Sequence, residues 1–354
     1  MVSVLRALAS VRLTVVGMLL LACGSVLSYG NPEAVSIWVL VVPLAFLALN
    51  LSSAIITNPR IHRRKGLLVF HSSLLGIVLL AAIGRLTYLD AHLEIINGAT
   101  FDAQSLLDLK AGPLHSGRLS DVEFIQGRYT VDYRPGMSRG ATRSYLQVPD
   151  GEGGWREQVV GDDTPLVVNG YRFYTSFHKG FSPIVVWTPN NGQPEVGTIH
   201  MPPYPLFDYR QANRWTPPQG EEIKFWLRLN TGISQDSAWV LDGQRATGVL
   251  VVDSGEQRVE LQPGETVVLS GGELRYQSLT TWMGYKVFYD PTIHWLFFVS
   301  VLGVLGLSYH YWTKVSMNSV AGVNRRSLDE PGQNPTDRSR NGGAFRSAQD
   351  VVKL

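Results

Sequence analysis

Of the eight histidines in the chain, His71 stands well inside an apolar run. Residues 60–85 read RIHRRKGLLVFHSSLLGIVLLAAIGR. A basic loop (Arg60, Arg63, Arg64, Lys65) runs into 19 uncharged residues, with His71 near their start. Taking Lys65 as the boundary, His71 is six residues in, about 9 Å along a helix. Ionisable groups at such depth are costly and usually face a protein interior, a cavity or a cofactor. Three chemistries fit: a neutral imidazole hydrogen-bonded to a neighbouring helix, a ligand to haem or another metal, or a proton relay. Ser72 and Gly76 would let a partner helix approach beside it.

A haem iron takes two axial ligands, and His310 is the candidate second one. It lies four residues before Lys314 in the last apolar run, on a stripe with Gly303 and Gly306, on the side of the membrane expected for His71. The plainer reading of His310, as of His294 at the other end of that run, is an interfacial anchor. His62 reads as a solvated member of the basic loop. His92, His115, His178 and His200 are scattered, without the spacing of a zinc site. There is no phosphate-binding glycine loop, no HExxH, no GxSxG and no tryptophan-rich tract, and the nine tryptophans are dispersed. No pair of acidic residues declares itself as acid and base. The single cysteine, Cys23, excludes a disulfide or a CxxC redox pair within this chain. These absences weigh against a self-contained enzyme.

The helices and strands that hold these residues can be read from charge and hydropathy. The 354 residues are 45% hydrophobic and 17% charged, against about 25% charged in an ordinary soluble protein. Between residues 88 and 290 there are 17 Lys/Arg and 24 Asp/Glu; elsewhere there are 14 and 5. An acidic middle with basic flanks indicates two compartments on either side of a membrane rather than a nucleic-acid partner. Residues 1–12 read as a short interfacial helix. Uncharged runs at 13–32, 34–59, 66–84 and 291–313 are each long enough to cross a bilayer, which takes about 20 residues. Residues 20–24 loosely match a lipoprotein cleavage site that would acylate Cys23, but the apolar run is longer than a signal core. Lys/Arg-rich loops stay in the cytoplasm, so both termini are expected inside and residues 88–290 outside.

The outside segment reads as antiparallel β, with a hairpin at Asn169-Gly170, short strands at 184–187 and 225–229, and regular turn signals from Thr247 onward, as in a sandwich or open barrel. Its aromatics (Tyr171, Phe173, Tyr174, Phe177, Phe181, Trp187) are expected mostly in the core, any exposed remainder forming a binding face. The expected organisation is an N-terminal membrane domain with three helices (1–87), a periplasmic β-rich domain (88–290), a fourth transmembrane helix (291–313) and a disordered cytoplasmic tail (314–354).

Several stretches, in order, resemble the ResB family, also called CcsB, of System II cytochrome c biogenesis. They are residues 8–14 (LASVRLT), residues 65–71 (KGLLVFH) with 74–84, residues 168–174 (VNGYRFY), residues 287–291 (VFYDP), and Gly303 with Gly306. The resemblance implies a bacterial inner-membrane subunit that works with a multi-span ResC/CcsA-like partner. Together they would move haem b across the membrane and present it to apocytochrome c. It makes His71 a haem axial ligand, with the second ligand supplied by the partner rather than by His310. The chain would then be a subunit of a cytochrome c haem lyase complex that is not self-sufficient, with thiol reduction left to a thioredoxin-like protein. The competing reading is a membrane-anchored scaffold or sensor whose β domain binds a protein and whose helices hold no cofactor.

Overall fold

The computed structural model describes residues 2–31, 34–217, 220–230, 236–255 and 257–328. Helix α1 (Val2–Leu8) is followed by α2 (Val11–Gly30), α3 (Trp38–Thr57), a one-turn α4 (Pro59–His62) and α5 (Lys65–Thr87); α6 (Ile293–Leu328) closes the described chain. Among the described residues four helices, α2, α3, α5 and the first 24 residues of α6, are long and apolar enough to cross a membrane. Three precede and one follows an antiparallel β-rich domain, as the sequence predicts.

Small residues set the helix contacts. A Cβ at Gly17 of α2 would lie 2.7 Å from Leu47 of α3, and one at Gly24 2.7 Å from the Val39 carbonyl. Lipid offers no hydrophobic drive between helices, so close backbone packing must supply it. Asn50 of α3 adds a polar tie. It accepts from Thr14 Oγ1 at 2.7 Å and donates to the carbonyls of Leu8 and Ser10 at 2.5 and 3.2 Å, satisfying the break between α1 and α2.

The last helix is longer than its apolar run. It continues to Leu328, so residues 314–328, expected in a disordered tail, are helical. The segment holds no proline, the one residue that would break a helix begun upstream, and its single glycine, Gly322, is tolerated. The remainder of the expected tail lies outside the described residues.

The strands, in chain order, are β1 (Leu89–Ile96), β2 (Leu106–Ala111), β3 (Ile125–Arg134), β4 (Ser138–Pro149), β5 (Trp155–Gly161), β6 (Leu166–Val168), β7 (Tyr171–Pro189), β8 (Glu195–Thr198), β9 (Ala212–Trp215), β10 (Ile223–Asn230), β11 (Trp239–Asp242), β12 (Thr247–Asp253), β13 (Arg258–Leu261), β14 (Thr266–Leu269) and β15 (Gly272–Tyr289). The principal sheet runs β2-β1-β15-β7-β6, with β14 on β15 and β8 on β7; two four-stranded sheets run β13-β12-β10-β9 and β11-β3-β4-β5. Asn169 and Gly170 both have positive φ, 51° and 83°, and form the tight turn between β6 and β7.

The regular turns after Thr247 do not make one meander. β12 pairs β13 and β14 pairs β15, but β13 and β14 belong to different sheets. The turn at residues 262–265 therefore carries the chain across the core. Residues 272–289 form one 18-residue strand, β15. That strand and the 19-residue β7 form the spine of the domain. Tyr171, Phe173, Phe181, Trp187, Tyr276 and Tyr285 from these two strands are buried, while Phe177 is 65% exposed.

The joint between membrane and β domain is built on His115. Its Nδ1 lies 2.9 Å from the Thr87 carbonyl at the end of α5, and its Nε2 2.9 Å from the Tyr171 hydroxyl at the start of β7. The Thr87 oxygen can only accept, so Nδ1 carries the proton and Nε2 accepts from Tyr171. Burial pushes the Tyr171 phenol up to about 12, so it stays a donor at any physiological pH. Replacing His115 with alanine leaves both partners short. The expected cost is about 1–3 kcal/mol, read as faster amide exchange at Leu86–Tyr88 with the core strands unaffected.

Candidate functional site

The site is built on α5. Its first helical residue is Lys65, so His71 lies six residues, about 9 Å, into the helix. Its ring is half-buried and stands edge-on to Phe70, centroids 5.3 Å apart. Nδ1 lies 2.8 Å from the Leu67 carbonyl, one turn back. That oxygen can only accept, so Nδ1 carries the proton and the Nε2 lone pair is left free. A neutral imidazole tied at one nitrogen and basic at the other is the form that ligates a metal, the backbone bond fixing both tautomer and ring direction. The described residues place no hydrogen-bond partner at Nε2.

His310 does not share that face. α5 and α6 pack through glycine. A Cβ at Gly66 would come within 2.8 Å of the Gly306 carbonyl and of His310, and one at Gly303 within 3.2 Å of Ser73. The contact stripe of α5 is therefore Gly66, Phe70 and Ser73. His71 lies five residues beyond Gly66, about 140° round the helix, turned away from α6. His310 lies beside Gly66, at the end of the bundle. One chain does not bring the two imidazoles together.

That close contact is a testable element of the site. A Cβ at Gly306 would meet Val69 Cγ1 at 2.8 Å and the Phe70 nitrogen at 2.9 Å, and backbone cannot yield. Gly306→Leu is expected to lower the unfolding temperature of the full chain, with a cost of about 1–3 kcal/mol or more. Val304→Leu, whose side chain is 65% exposed on the other face of α6, should leave that temperature unchanged.

The remaining histidines are accounted for locally. His62 and His294 are exposed. His92 pairs with Asp108 at 3.6 Å, and His200 pairs with Glu94 at 3.5 Å while stacking on Trp282. His178 stands in the bulge of β7, its amide donating to Ser176 Oγ at 3.1 Å. Among the described residues no three His, Cys, Asp or Glu side chains converge as a metal site.

Sequence reasoning overlooked a second unusual group. Three residues of β7, Ser176, Phe177 and His178, bulge opposite Gly284 of β15, where a Cβ would sit 2.5 Å from the His178 carbonyl. Just after the bulge, Lys179 is 1% exposed. Burial and the Arg139 guanidinium push its ammonium down from 10.5 to about 7, against the pull of Asp162. Arg139 pairs with that carboxylate at 2.5 Å and covers the Phe177 ring at 4.3 Å. The signal in the sequence was a lysine two residues from both Phe177 and Phe181 in a strand rich in aromatics.

Residues 60–203 match the model of the ResB-like family. That range starts in the basic loop, contains all of α5 and crosses much of the β domain. The chain is also similar to the cytochrome c biogenesis protein CcsB of Microcystis aeruginosa, at 23% identity over 265 residues, 72% of this chain and 56% of that protein. Similar proteins called CcsB from Synechococcus elongatus and from another Synechococcus strain are each 24% identical over 251 residues, 70% of this chain and 51% of theirs. The chain thus spans about half the length of the curated relatives it matches. In motif order, in its four membrane-length helices and in the β-rich domain between the third and the fourth, the chain is similar to the ResB/CcsB membrane proteins.

Proposed function

We propose that the chain acts in cytochrome c biogenesis, as a subunit that passes haem b across the bacterial inner membrane and presents it for attachment to apocytochrome c. The observation that carries this reading is His71: an imidazole set inside a span, its proton committed to the Leu67 carbonyl and its Nε2 lone pair free. Haem is the cargo, and His71 supplies one axial ligand. The second comes from a ResC/CcsA-like multi-span partner, because His310 faces α6's own contact with α5. The exposed side chains of α2 and α6, among them Val15, Leu19, Val26, Phe297 and Trp312, leave membrane surface for such a partner.

The basic loop at Arg60–Lys65 sets the orientation, with both termini cytoplasmic and the β domain periplasmic. His71 then stands near the cytoplasmic boundary, where haem arrives, and the joint at His115 couples the end of α5 to the domain facing apocytochrome. The chain's single cysteine leaves thiol reduction to a separate thioredoxin-like protein. Complementation tests the reading. A strain lacking the chain should recover its c-type cytochromes with the wild-type gene and not with His71→Ala produced at the same level. Equal recovery by both would favour a scaffold whose helices hold no haem.

A further inference from the structure

Where α5 begins, a cavity of about 370 Å³ opens between α5 and α6. Three cations line it, Arg64 just before α5, Lys65 at its start and Lys314 from α6, together with Tyr309, His310 and Thr313. No acidic side chain lines it, and none of the three cations forms an ion pair among the described residues. Gly66 and Gly306 hold the two helices at backbone contact, so the cations are gathered from both sides rather than free to spread apart. The first turn of α5 has no acidic residue, and its N-cap, Arg64, makes no side-chain cap, which leaves the helix's positive end uncompensated as well. Like charges held this closely favour an anion among them.

The position selects the anion. Lys65 starts one membrane-length helix and Lys314 lies two residues before the end of another, Ile293–Ser316. The cavity therefore sits at headgroup depth. One turn from Tyr309, on the same face of α6, Leu305 is 58% exposed, with Val301 beyond it at 41%, an apolar track on which acyl chains can lie. His71 points away from this side, so the cavity is separate from the haem ligand. We propose that it binds the phosphate of an anionic phospholipid from the leaflet at this end of the bundle. Arg64 supplies a planar fork of donors, Lys65 and Lys314 point charges and Tyr309 a hydroxyl donor.

The test uses the full chain in detergent, titrated separately with phosphatidylglycerol, phosphatidylcholine and inorganic phosphate while the unfolding temperature is read. Phosphatidylglycerol should raise that temperature saturably, and the other two should not. Arg64→Gln and Lys314→Gln should each weaken the midpoint about fivefold, and Lys314→Arg should restore it. Arg63→Gln, a loop cation outside the cavity, should leave the midpoint in place. The lipid-free unfolding temperature of each variant shows that it has folded. Equal shifts with phosphatidylcholine, a shift reproduced by inorganic phosphate alone, or an equal loss in Arg63→Gln would each overturn the assignment.

Discussion

Replacing His71 with alanine is expected to lower the haem retained by the chain, purified together with the proposed ResC/CcsA-like partner, by at least about tenfold. Loss of groups that merely orient a metal ligand already costs about 10–100-fold, and here the proposed ligand itself goes. The substitution leaves the fold almost untouched. The ring is half-buried on the face of α5 away from α6, and the one bond it makes is to a helical carbonyl one turn back, whose backbone partner remains. The vacated space is that of an imidazole ring. External imidazole should therefore enter it and return part of the haem, since it brings the same nitrogen lone pair without the tether. Haem content that stays at the wild-type level in His71→Ala, with or without imidazole, would remove His71 from the site.

The second large effect is on stability. Lys179 holds its proton less tightly in the fold than in the unfolded chain, about 7 against 10.5. Below about pH 7 both states carry the proton and the burial penalty is present in full. Between about 7 and 10.5 the unfolded chain keeps the proton while the fold has lost it, so stability rises with pH across that window. The full gap is worth roughly 5 kcal/mol. Lys179→Met keeps the length of the side chain and removes the charge. At pH 7 it should raise the unfolding temperature of the β domain, monitored by tryptophan fluorescence in the full chain, by about 5 °C or more. It should also flatten the climb between about pH 7 and 9. A variant less stable than wild type at pH 7, or one with an unchanged pH slope, would mean that the ammonium has a compensating partner in the bulge.

These effects differ in how far the sequence announced them. His71 was legible because depth in a membrane is counted along one helix from a charged boundary, and Lys65 supplies that boundary. The four spans were legible for the same reason, and Asn169-Gly170 because a tight turn is written in two adjacent residues. What depends on residues far apart was not. His115 looked isolated until β7 brought Tyr171 beside it, 56 positions away. Asn50 carried no signal that it would close the break between α1 and α2. The turn at 262–265 has the residues of a hairpin, yet it joins two sheets, because the pairing of β14 with β15, not the turn itself, decides which sheet the chain enters. The pair of His71 and His310 failed on rotation, not depth: a ligand pair needs facing side chains, and Gly66 and Gly306 choose which faces of α5 and α6 meet.

A change of ligand is the sharpest test of haem binding at residue 71. His71→Cys exchanges the imidazole for a thiolate at the same point of α5, and the axial ligand governs the electronic state of haem iron. Absorption spectra of the chain purified with its partner should show the wild-type Soret band replaced, in His71→Cys, by one of thiolate-ligated haem. If haem is present in both and the spectra coincide, the iron is not bound to residue 71 and the proposed role of His71 is wrong.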